Sequence, residues 1–117
     1  MLKLSRSDLA IIVLAFLMAM AVTAYSSNIQ RFGPELGVYG NLCGPSGNEL
    51  CYEAILNGGL PIPYFFDDPA TSVQRVLHFG EDQIKVIPFM IDVILIGAIL
   101  SSVFFTGRRY LRRKTTK

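Results

Sequence analysis

The sequence predicts an all-α membrane protein: two transmembrane helices joined by an extracytoplasmic loop of about sixty residues that carries short helices and one disulfide. Three observations carry that prediction. Two apolar runs, residues 9–25 and 86–105, each match a hydrocarbon core of ~30 Å at ~1.5 Å per helical residue. The second run is followed at once by Arg108, Arg109, Arg112, Arg113 and Lys114. The only two cysteines, Cys43 and Cys51, both fall in the segment between the runs.

Residues 1–8 form a short cytoplasmic start, in which Lys3 and Arg6 precede the first run and Asp8 is an unusual acid. Residues 9–25 contain no charge and read as the first transmembrane helix. A cleaved signal peptide is the alternative, because Val22-Thr23-Ala24 supplies small residues before Tyr25. We take the uncleaved span as the expectation; either choice leaves residues 26–83 outside. The charge distribution agrees. Glu35, Glu49, Glu53, Asp67, Asp68, Glu81 and Asp82 fill that segment against Arg31 and Arg75, whereas the tail is purely basic. Lys and Arg beside spans are retained inside, so both termini are expected in the cytoplasm of a cell-membrane protein.

In the outer segment, Cys43 and Cys51 are expected to pair, with Gly44-Pro45-Ser46-Gly47 supplying the turn. Closing so short a loop contributes about 2–3 kcal/mol in the chain-entropy view. Redox pairs and haem attachment want C-x-x-C spacing, and a zinc site needs further ligands that are not nearby. Ser46-Gly47-Asn48-Glu49 matches a capping box, predicting a helix to Asn57 that Gly58-Gly59 ends. Leu50, Ala54, Cys51 and Ile55 would then share one side of it.

Pro61 and Pro63 hold the next stretch extended, leading into Tyr64, Phe65 and Phe66. Those aromatics are expected as an exposed cluster, at the headgroup level or as a partner-binding patch. Asp67-Asp68 resembles a metal-binding pair, yet Asp68 as N-cap before Pro69 is the simpler reading. Val73, Val76 and Leu77 would stripe the helix it opens, with Gly80 as its stop. His78 has no spaced ligand partner, and no N-x-Ser/Thr acceptor occurs.

Residues 84–106 read as the second transmembrane helix, capped by Asp82, with Pro88 tolerated in its first turn. Ala15 with Ala19, Gly97 with Ser101, and Ala98 with Ser102 permit close helix approach. Asp92 is the intramembrane polar site. It lies about 9 Å inside the apolar region if that begins at Val86, and ~4–5 Å if it begins at Phe89. A mid-span Asp costs about 2.5–3.5 kcal/mol on insertion scales, so it is read either as functional or as an interfacial acid, protonated or paired with Lys85 or Arg31. Residues 107–117 form a basic cytoplasmic tail, where Arg108, Arg109, Arg112, Arg113 and Lys114 meet anionic lipid headgroups at ~1 kcal/mol each.

With Gly59-Leu-Pro-Ile-Pro-Tyr64, the phenylalanines after it and Asp92 opening the second span, the chain resembles small two-span prokaryotic membrane proteins of uncharacterised function. These carry a Gly-x-Pro-x-Pro-Tyr-like element in their outer loop. The resemblance covers residues 58–93 and implies a prokaryotic cytoplasmic membrane without a defined activity.

No nucleophile–base set, metal-spaced cluster or phosphate-binding glycine loop is visible. The expectation is therefore a non-enzymatic accessory, structural or assembly subunit of a larger membrane complex, with no cofactor and no metal. Its partners are the anionic bilayer and other membrane subunits. Nucleic acid is the lesser reading of the basic tail. The alternatives are a transport or enzyme component using Asp92, Asp67 and Asp68, and a single-span anchored outer module.

Overall fold

The structure, a computed structural model, describes residues 4–68 and 75–115. Two long helices, α1 (Arg6–Ser26) and α2 (Val86–Thr115), pack antiparallel. Between them in sequence lies a four-stranded antiparallel sheet in the order β1 (Gln30–Cys43), β2 (Glu49–Gly58), β3 (Phe65–Phe66), β4 (Gln83–Ile84). The molecule is a rod of 79 × 25 × 24 Å. The thirty residues of α2 account for ~45 Å of that length, so the β1–β2 hairpin projects ~34 Å beyond the helix ends.

Both helices are long and apolar enough to cross a membrane. Only 22% and 17% of their apolar windows are buried, unlike the core helix of a soluble domain. Leu9, Val13, Leu17, Ile91, Ile94 and Ile99 all point outward. α1 opens on a capping box. Asp8 Oδ2 accepts from the Ser5 N–H at 3.1 Å, and Ser5 Oγ accepts from the Asp8 N–H at 3.2 Å. That accounts for the acid that looked out of place, because a carboxylate at the third position of a helix satisfies an orphan donor. Across the pair, Ala15, Ala19, Thr23 and Val93 are buried, and Gly97 faces the Phe16 ring, 2.9 Å from where a Cβ would stand. Small residues let the backbones approach. Ala98 and Ser102, by contrast, face outward.

The middle of the chain is a β-sheet, and this corrects the all-α expectation and its short helices. Gly44–Asn48 is the hairpin turn, Glu49–Gly58 a strand, and the Cys43–Cys51 disulfide ties two strands together. Leu50, Tyr52, Ala54 and Leu56 alternate along β2 at the two-residue period of a strand, so one apolar face forms as a pleated surface rather than a helical stripe. Opposite them, β1 sets Leu42, Val38, Leu36 and Phe32 in register. β1 needs four more residues than β2 for the same pairing. It absorbs them in irregularities between Phe32 and Leu36 and between Val38 and Leu42, at Gly33 and Gly40 with φ near +78° and +79°. Each irregularity adds two residues, so the alternation keeps its face.

Two further expectations change. Asp82 does not cap α2, which begins at Val86 after Lys85; its carboxylate accepts from the Asp68 and His78 N–H groups. Pro88 does lie in the first turn of α2. The helix expected from Asp68–Pro69 through Val73 falls largely on 69–74, outside the described residues; Val76 and Leu77 beyond it belong to no helix or strand.

Candidate functional site

Where the helices meet the sheet, the segment from Gly59 to Tyr64 is wedged between α1 and α2, and its polar backbone is satisfied from three elements. The Leu60 N–H donates to Ser26 Oγ at 3.1 Å, and Ser26 in turn donates to the Thr23 carbonyl at 2.6 Å. The Ile62 N–H donates to both Asp92 oxygens, at 3.2 and 3.3 Å. The Tyr64 N–H donates to the Gly58 carbonyl at 3.1 Å, and its hydroxyl to the Thr23 carbonyl at 2.5 Å. Pro61 and Pro63 have no N–H to satisfy. From the sheet, the Arg31 guanidinium donates to the Gly59 carbonyl at 2.8 Å and the Pro61 carbonyl at 3.1 Å. Irregular backbone beside apolar helices is costly unless its donors are satisfied within the protein, and here each N–H from Leu60 to Tyr64 is.

Asp92 is fully buried and is an acceptor for this loop, not an ion-pair partner of Lys85. Lys85 instead meets Glu35 on β1 and lies over the Phe66 ring, 4.1 Å from its centroid. Asp92 and Arg31 therefore grip adjacent residues of one loop from opposite sides. Close packing completes the mount: a Cβ on Gly58 would stand 2.3 Å from the Ser27 carbonyl oxygen, which only glycine permits.

Tyr64, Phe65 and Phe66 are buried, which overturns the exposed aromatic patch. Tyr64 meets Phe89 of α2 edge-on at 5.0 Å, and Phe65 stacks on Phe79 at 4.7 Å. They are the core of the junction, because sixty residues of sheet and loop have few other large side chains to bury.

Asp67 and Asp82 tie segments of the sheet region together. Asp67 Oδ2 accepts from the Arg75 N–H at 2.8 Å and from the Tyr39 hydroxyl at 3.3 Å; that hydroxyl accepts from the Leu56 N–H at 3.3 Å. Asp82 accepts from the Asp68 N–H at 3.0 Å and the His78 N–H at 2.6 Å. Burial pushes the Tyr39 phenol above its ordinary value, with the Asp67 carboxylate adding to the effect. Among the described residues no three His, Cys, Asp or Glu side chains come together as metal ligands.

At the far end of the helix pair, Arg108 donates to Asp8 at 2.6 Å and to Ser7 Oγ at 3.0 Å, joining the helix ends. It is thus engaged within the chain. Arg109, Arg112, Arg113 and Lys114 continue along the last turns of α2 with exposed side chains.

Asp8, which charge counting marks only as unusual, is a helix cap, and Ser5-x-x-Asp8 is a readable cap signature. The Arg31 and Asp92 clamp had no such signal, since its target is backbone. Comparison with protein-family models, curated proteins and solved structures finds no match to this chain.

Proposed function

We propose that the chain is a two-span integral membrane protein, with both ends in the cytoplasm, that serves as a non-catalytic accessory or assembly subunit. It holds a stiff hairpin outside the membrane against protein partners. One observation carries this reading: Phe32, Leu36, Leu42, Leu50 and Tyr52 are exposed on one face of a hairpin whose Arg31 holds the Gly59–Tyr64 loop, which Ser26 ties to α1 and Asp92 to α2. An apolar face on a rigid mount suits docking; of the acids that would serve a reaction, Asp92 and Asp67 accept from backbone N–H groups and Asp68 from the Gln83 side-chain amide. The outward apolar side chains of α1 and α2 support the bilayer as their environment. Arg109, Arg112, Arg113 and Lys114 leave the inner face on a continuous helix and fit anionic headgroups.

Purification in mild detergent tests the reading. An assembly larger than one chain is expected, and L42D/L50D should dissolve it while leaving the helices intact. Recovery of the wild type as a single chain with nothing attached would overturn it.

A further inference from the structure

A docking hairpin calls for an occupant of its apolar face. We infer that the apolar hairpin face packs against the same face of a second copy, forming a two-fold dimer outside the membrane. This rests on the docking reading just given and specifies its partner.

Five large apolar side chains of this face are exposed, while Leu56 in the same register is covered. Phe32 is 62% exposed, Leu36 63%, Leu42 60%, Leu50 57% and Tyr52 68%. The register Phe32–Leu56, Leu36–Ala54, Val38–Tyr52 and Leu42–Leu50 sets them all on one side. The opposite side carries Arg31, Glu53 and the disulfide. A bilayer at the helix pair leaves Leu42 and Leu50 uncovered, because the hairpin tip stands ~34 Å beyond the helix ends along the rod.

Area and charge favour a second copy. At roughly 100 Å² of exposed side chain each, the five residues offer on the order of 500 Å². Two such faces bury about 1,000 Å², the lower limit for a biological interface, and the flanking Val38 and strand backbone add to it. No charged side chain lies in these paired positions, so nothing on the face repels its own copy or selects a charged partner. Pairing through the free edge of β1 is hindered, since Pro34 and the irregularities at Gly33 and Gly40 interrupt that edge. Face-to-face packing remains. Two chains held in one membrane with the same orientation present this face parallel to the membrane normal, where a two-fold axis can relate them. Their shared anchoring raises the effective concentration.

The test uses the full chain reconstituted at low density in vesicles. Y52C should cross-link to its own copy on oxidation, whereas E53C, one residue along and facing the other side, should not. Adding L42D/L50D to Y52C should lower cross-linking at least tenfold, with unchanged helical circular dichroism and an intact Cys43–Cys51 bond. Equal cross-linking at both positions, or none at Tyr52, overturns the inference. Native mass spectrometry of the wild type separates the two claims. A single chain bound at this face to another polypeptide sinks the dimer and leaves the docking role standing. A bare single chain sinks both.

Discussion

Replacing Asp92 tests whether its carboxylate is a fastener or a reactive group. In the structure its two oxygens receive one N–H, that of Ile62, in a fully buried setting. D92A leaves that donor unpaired, at a cost of about 1–3 kcal/mol for a buried polar group. The cost falls on the local opening of Gly59–Tyr64, since Arg31, Ser26 and Tyr64 still hold the ends of the loop. Hydrogen exchange at Ile62 should accelerate accordingly, about 5- to 150-fold at 1.4 kcal/mol per tenfold. D92N keeps a carbonyl oxygen in place and removes the charge, so its Ile62 exchange should stay within about threefold of the wild type. Mass-resolved exchange of the full chain in detergent measures all three. Rapid exchange at Ile62 in the wild type, or D92N as disruptive as D92A, would refute the reasoning. In the second case the charge itself would matter.

Other consequences are independent of that site. Reducing the Cys43–Cys51 bond, which spans eight residues, should destabilise the hairpin end by about 2.5 kcal/mol, read as faster exchange at Leu42 and Leu50 with unchanged helix content. G58A forces a Cβ to within 2.3 Å of the Ser27 carbonyl oxygen and should cost about 1–3 kcal/mol in thermal unfolding; a neutral result would mean that the sheet does not seat on α1. Tyr39 is held neutral by burial, so its folded value lies above the unfolded value of ~10. Its contribution is therefore complete below pH ~10 and is lost as pH rises through the folded value. In ultraviolet titration of the folded protein, the difference between wild type and Y39F should isolate a phenol that ionises above its ordinary value; a difference at the ordinary value would refute this.

The helices were legible because length and apolar content state them without reference to the rest of the chain. Ser5 and Asp8 could also have been read as a cap. The sheet was not legible, for reasons visible in β1. Gly33, Pro34, Gly37 and Gly40 lower its strand propensity, and two irregularities break the simple alternation that signals a strand. β2 alternates plainly, but Ser46-x-x-Glu49 ahead of it and Gly58-Gly59 behind it mimic helix ends. Local signals there lost to pairing with a distant segment. The cysteine pairing followed from count and spacing, although it ties strands and not a helix to a loop. Tyr64, Phe65 and Phe66 were misplaced because a run of three aromatics says nothing about which side is covered. Phe79 and Phe89 cover Phe65 and Tyr64 from later in the sequence. The role of Asp92 was hidden for the same reason: it binds the backbone of Ile62, and a backbone partner leaves no residue type to find.

The central claim is that the helix pair sits in a membrane and the hairpin stands outside it. Labelling with a membrane-impermeant maleimide in intact cells tests this most directly, because the disulfide-bonded native cysteines do not react. S46C at the hairpin turn should label at once, and R113C on the last turns of α2 only after the membrane is opened. Labelling of R113C in sealed cells, or protection of S46C until lysis, would contradict the account.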